Sequence, residues 1–261
     1  MIEINKDFLP YGKHEILEED IQNVSNVLRN KNLTQGEYVP NFENNLAKKV
    51  NSKYCIAVNS ATSALHIACM ALGLKKGDIL WTSTNSFVAS ANCGLYCGAE
   101  INFIDINPSN GLMDIELLAN KLALAKSENK LPKIIIPVHF AGSSCDMQAI
   151  FSLSKEYGFQ IIEDASHAIG GKYNGNFIGN CKYSAITIFS FHPVKIITTG
   201  EGGCGTTNDE NLARKMKFLR NHGITKEPHE FKLIPKGEWS YEQQLLGFNY
   251  RMSDIHAALG I

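Results

Sequence analysis

A primary amine, a carboxylate and a helix start rich in small hydroxyl residues occur in this chain where apolar runs end. Lys195 stands in FSFHPVKIITTGEGG (189–203), just beyond the β-branched and aromatic run 185–191. Pro193 breaks that run, and Gly200, Gly202 and Gly203 read as a cluster that neither a helix nor a central strand would tolerate. Glu163 and Asp164 close a second apolar run within QIIEDASHAIGG (160–171), which supplies a carboxylate at a strand's C-terminal edge. CIAVNSATSALHIACMALGL (55–74) reads as strand, small-residue turn and helix, the geometry that presents backbone N–H groups to a phosphate. A lone lysine after a strand is by default a solvated surface group. Joined to an acid and an anion cradle, it describes a site for pyridoxal phosphate (PLP).

The elements that must position these groups follow from hydrophobic periodicity. Apolar runs near 55–58, 79–81, 101–106, 133–138, 160–162 and 185–191 alternate with helical stretches near 62–73, 86–97, 114–126, 146–157 and 209–221. That alternation predicts an α/β fold, a mostly parallel sheet sandwiched by helices. Ligands of such sheets gather at strand C-terminal ends, where Asn59, Asp164 and Lys195 all fall. Ahead of the sheet, apolar positions 17, 21, 24, 27 and 28 predict one helix, and Phe42, Leu46, Ala47 and Val50 a second over 39–50. Residues 1–50 are thus expected to form an N-terminal helical arm and 51–225 a large PLP-binding domain. Beyond it, 226–261 reads as a loop and the start of a link to a smaller C-terminal domain. Pro228, Pro235 and Gly237 make 223–244 a long, mobile loop. Ser253 is a plausible N-cap for a helix that is still in progress at Ile261, which suggests a fragment.

Composition narrows the function classes. With 25 basic and 26 acidic residues in 261, the formal net charge of −1 carries no footprint of nucleic-acid or acidic-membrane binding. Anionic groups of a ligand must therefore be met locally. Seven cysteines lack paired short spacings, so neither a disulfide framework nor a metal site is expected. There is no signal region and no stretch of roughly 18 apolar residues, which points to a reduced, cytoplasmic protein.

Ten pieces then occur in a telling order: GEYVPNFE (36–43), NSATSAL (59–65), GD (77–78), SFVAS (86–90), VHFAG (138–142), EDASHAIG (163–170), SFHPVK (190–195), GEGG (200–203), RNHG (220–223) and GFNYRMSDIHAALG (247–260). Any one is weak, whereas the ordered set is specific. With it the chain resembles the DegT/StrS-type PLP-dependent nucleotide-sugar aminotransferases of the fold-type I superfamily. The resemblance implies that Lys195 bonds covalently to PLP and shuttles a proton, and that Asp164 pairs with the pyridine nitrogen. It further implies a phosphate seat at Ala61, Thr62 and Ser190, an aromatic stack from Phe87, and a ring-side contact from His167. A buried core phenylalanine and a structural histidine are the plain alternatives for the last two. Asn249 matches a residue that reaches the neighbouring subunit's phosphate, which implies a homodimer with shared active sites. One branch of the family carries histidine in place of the lysine and dehydrates at C3. Here the lysine is retained and His192 lies three residues before it, which favours transamination. SFHPVK, YGKH and GFNYRMSDI are most similar to the pseudaminic acid branch, which implies L-glutamate as donor and a UDP-linked 4-keto-6-deoxy-HexNAc as acceptor. Tyr11, Lys13 and His14 are then candidates for sugar or diphosphate contacts. Another sugar, a 3-keto acceptor, or a non-catalytic subunit of the same fold remain open alternatives.

Overall fold

In the computed structural model, residues 12–232, 234, 237 and 239–261 are described. Helices α1 (Glu18–Asn30) and α2 (Tyr38–Val50) lead into β1 (Tyr54–Val58), α3 (Ala61–Ala71), β2 (Ile79–Ser83), α4 (Ala89–Tyr96) and β3 (Glu100–Ile104). There follow α5 (Ile115–Ser127), β4 (Ile134–Ile136), α6 (Met147–Tyr157), β5 (Gln160–Asp164) and a small hairpin, β6 (Lys172–Tyr173) with β7 (Asn176–Phe177). The chain continues through β8 (Ile186–Ser190), β9 (Gly203–Thr207), α7 (Glu210–Arg220), the short pair β10 (Ile224–Thr225) and β11 (Glu242–Gln243), and α8 (Asp254–Gly260).

Seven strands form one sheet in the order β1-β9-β8-β5-β4-β2-β3. From β3 to β8 neighbouring strands run parallel. Strand β9 alone is antiparallel, to β1 on one side and β8 on the other. The expected mostly parallel α/β sheet is thus present. Both of its faces are dry along the inner strands, whereas the edge strand β3 is exposed at Glu100, Asn102 and Phe103. Ile56, Val58, Ile136, Ile162 and Ile188 pack under α3, α4 and α7. On the other face, Ala57 and Phe189 meet Phe42 and Leu46 of α2, while Trp81, Ile135 and Ile161 meet Leu118 of α5 and Ile150 of α6. Each such buried Val, Leu, Ile or Phe side chain contributes about 1.5–3 kcal/mol. Burial on both faces is why these strands read as unbroken apolar runs.

Strand β9 corrects the sequence reading at one position, because Gly203, expected to exclude a central strand, begins one. A Cβ on Gly203 would lie 2.3 Å from the backbone nitrogen of Ala61, and one on Gly205 would lie 2.6 Å from Cε of Met216. Helices α3 and α7 thus approach one face of this strand so closely that positions 203 and 205 have no room for a Cβ. The ladder to both neighbours satisfies its backbone. The segment 223–244 is likewise pinned at its base, where Ile224 and Thr225 pair with Gln243 and Glu242.

Helix α2 lacks a local cap, for Glu37 makes no side-chain bond to its first turn. Asp254, fully buried, supplies one from the far end of the chain, accepting the N–H groups of Gly36 (2.7 Å), Tyr38 (2.9 Å) and Val39 (3.1 Å). Asp254 is itself the first residue of α8, whose N-cap is Ser253 as expected.

Candidate active site

The loop carrying Lys195 is closed by hydrogen bonds rather than left loose. Phe191 N–H donates to the Gly202 carbonyl at 3.0 Å, and Thr199 N–H donates to the Phe191 carbonyl at 3.0 Å. Thr198 Oγ1 adds a second bond to that carbonyl at 2.9 Å. Inside this ring, His192 to Lys195 form a turn closed by Lys195 N–H to the His192 carbonyl at 2.9 Å. Pro193 presets the backbone angle that the turn's second position requires. Lys195 is half-buried, and burial lowers the pKa of its amine below the usual lysine value, against the opposing pull of the Asp164 charge.

Strand alternation separates the two carboxylates that the sequence left side by side. Glu163 shares the face of Ile161 and accepts bonds from His139 Nε2 (2.8 Å), Thr187 Oγ1 (3.0 Å) and the Ser184 hydroxyl. Burial works against its charge, yet these donors outweigh it and hold the acid below the ordinary glutamate range. Asp164 faces the cavity instead. Its Oδ2 accepts from Ser90 Oγ at 2.6 Å, and its Oδ1 from Ser166 N–H at 3.1 Å and Ser166 Oγ at 2.6 Å.

Helix α3 starts beside them. Ser60 caps it by accepting Ser63 N–H at 3.1 Å. The N–H groups of Ala61 and Thr62, first in the helix, have no intrahelical acceptors and form its positive end. Gly203, paired with both Val58 and Ser190, runs against Ala61 without a side chain to cover that end.

A cavity of about 630 Å³ brings Ala61, Thr62, Phe87, Asp164, His167, Ser190 and Lys195 together. Phe87 is 73% exposed, so the core alternative does not hold for it. The His167 imidazole is held below its ordinary pKa by burial first and by Lys195 second. His192 lines the cavity wall. Asn249 does not line it; this exposed residue bridges to Asn221 on the surface. Lys13 and His14 are exposed and also lie off the cavity, and Tyr11 falls outside the described residues. Sequence reasoning missed Ser86, Ser90 and Ser166. The spacing of Ser86 and Ser90 in SFVAS, four apart around an aromatic, was the available signal. An amine, a buried carboxylate, a helix start flanked by hydroxyls and an open aromatic face match the aldehyde, ring nitrogen, phosphate and ring of PLP. The residues present fit that group.

The DegT/DnrJ/EryC1/StrS aminotransferase family matches residues 14–261. The chain belongs to this family. Among curated DegT-type relatives, a UDP-4-amino-4,6-dideoxy-N-acetyl-beta-L-altrosamine transaminase of Campylobacter jejuni (strain NCTC 11168) is 42% identical over 253 residues, 97% of this chain. The match spans 63% of that relative's length. Among solved structures, Helicobacter pylori PseC, an aminotransferase of pseudoaminic acid biosynthesis, superposes with a TM-score of 0.86 at 34% identity. It is matched over 96% of this chain and 63% of its own. The PLP form of the Streptococcus pneumoniae sugar aminotransferase Spr1654 gives a TM-score of 0.81 at 27% identity, covering 97% of this chain and 65% of that one.

Proposed function

We propose that the whole protein is a PLP-dependent sugar aminotransferase, moving the amino group of L-glutamate to the C4 keto group of a UDP-linked 4-keto-6-deoxy-N-acetylhexosamine in pseudaminic acid (flagellin glycan) biosynthesis. The observation that carries this reading is the convergence of Lys195, Asp164 and the α3 start on one cavity. The names of the Campylobacter and Helicobacter relatives support the choice of sugar.

When bound, PLP supplies an electron sink for the carbon that loses its proton. The chain's residues do the rest. Burial keeps a larger share of Lys195 Nζ unprotonated, so this amine would hold the cofactor covalently through its aldehyde carbon and, once displaced by the donor amine, would take the proton from the donor's α-carbon. Asp164 accepts the ring N–H and favours its protonated form. Ala61, Thr62 and Ser190 bind phosphate, and Phe87 limits the tilt of the ring. Exposed Asn249 would reach the phosphate of a second copy, making a homodimer with shared sites. The described structure has no helix long and apolar enough to cross a membrane, and all seven cysteines are free thiols, which supports a reducing cytoplasmic setting.

The test is incubation with PLP, L-glutamate and a panel of UDP- and dTDP-linked keto sugars, with products identified by NMR. A 4-amino UDP-sugar is expected. Amination of only a 3-keto or dTDP-linked sugar would replace the substrate, and the absence of any glutamate-driven spectral change would leave a non-catalytic subunit.

A further inference from the structure

The acid that faces the cavity is not held by its own strand alone. Asp164 is buried, and an ionised carboxylate offers about four acceptor positions and no donor. Ser166 fills two of them on Oδ1, through its N–H and its hydroxyl. The hydroxyl of Ser90, on the first turn of α4 and fully buried, fills one on Oδ2. One position is left, on the oxygen that Ser90 orients. Because Ser90 spends its proton on Asp164, its oxygen must accept from elsewhere. Ser86 Oγ donates to it at 2.7 Å. Ser86 lines the cavity, so the chain Ser86, Ser90, Asp164 runs from the cavity wall to the buried acid.

Ser86 has a competing acceptor in the Phe87 carbonyl, at 3.0 Å. The same hydroxyl is therefore shared between the backbone of the aromatic residue and the support of the acid. Two donors in series polarise one another, and each makes the next a stronger donor to a negative oxygen.

We propose that Ser90, backed by Ser86, is a positioning residue that fixes Asp164 Oδ2 and keeps its remaining acceptor position open for a cationic N–H of a heteroaromatic ring. This rests on the PLP reading above. Ser90 acts only through Asp164, and its effect disappears when that carboxylate is neutral and no longer a pure acceptor. A purely packing role for Ser90 would not depend on residue 164.

The experiment is a double-mutant cycle of Ser90→Ala and Asp164→Asn, with Ser86→Ala as a cavity-wall variant whose folding is not at stake. Equilibrium PLP affinity is read by fluorescence quenching, and thermal midpoints are read on protein without PLP. Ser90→Ala is expected to weaken PLP about tenfold in the Asp164 background, the scale of one charge-assisted hydrogen bond, and by less than about twofold in Asp164→Asn. Ser86→Ala is expected to weaken it by about two- to threefold. Without PLP, the two substitutions must also be non-additive in their thermal midpoints. Equal losses of affinity in both backgrounds, or additive midpoints, would overturn the proposal. If the unaltered protein binds no PLP, the functional reading fails by itself, and the midpoints still decide the Ser90–Asp164 contact.

Discussion

Asp254 accepts the backbone N–H of Tyr38 at 2.9 Å across a sequence separation of 216 residues, and so joins the two ends of the described chain. Removing it would orphan the first turn of α2 and the Gly36 N–H together. Asp254→Ala is expected to cost about 2–3 kcal/mol, more than an ordinary cap, because the carboxylate is charged and the site is dry. Chemical denaturation measures this. A loss below about 0.5 kcal/mol would mean that water replaces the cap.

Phe87 provides a contrast between stability and binding. Being 73% exposed, it contributes little to the fold, so Phe87→Ala is expected to change unfolding by no more than about 0.5 kcal/mol. PLP affinity is expected to fall at least severalfold, on the scale of about 1 kcal/mol for an aromatic stack. A variant that unfolds easily but binds PLP normally contradicts the stacking role.

Gly203→Ala places a methyl 2.3 Å from the Ala61 nitrogen and 2.5 Å from the Ser60 carbonyl carbon. Since these are backbone atoms, α3 must move. Expected are a destabilisation of about 1–3 kcal/mol and a weaker response to inorganic phosphate, checked by thermal unfolding with and without phosphate. Unchanged phosphate protection would separate the helix start from anion binding.

Titration gives two signed expectations. Burial lowers the Lys195 pKa and Asp164 raises it, so removing the acid's charge in Asp164→Asn lets the free amine persist to lower pH. The rate of Lys195 labelling by pyridoxal should therefore lose half its value at a lower pH in that variant; an upward move contradicts the assignment. The His167 imidazole, whose pKa is lowered from 6.5 by burial and by Lys195, binds fewer protons folded than unfolded. Its contribution to stability is full above about 6.5 and falls as pH drops below that value. His167→Gln is expected to flatten the acid side of the stability–pH curve.

The sheet was legible because both faces of its inner strands are dry, so strands such as β4 and β8 appear as plain apolar runs. Asp164 and Lys195 were legible for a different reason, standing where such runs stop. What escaped notice depends on relations between segments. Gly203 looks like a breaker until the backbone of Ala61 is seen pressing on it. Position at a run's end does not separate Glu163 from Asp164; the family resemblance singled out Asp164, and the alternation of β5 turns that residue to the cavity. Ser90 resembles any helix-start serine, and its role exists only because β5 ends beside it.

Gly203 also joins the two anchors of the site. It pairs with Ser190 at the foot of the lysine's loop and rests against Ala61 at the mouth of α3. In mechanical terms Lys195 sits on a short lever whose fulcrum is the contact between β9 and the start of α3. A displacement of β9 would therefore shift the foot of the lysine's loop and the start of α3 together. A one-residue insertion between Phe191 and Gly202 would lengthen that lever and leave its fulcrum in place, uncoupling covalent attachment from phosphate capture.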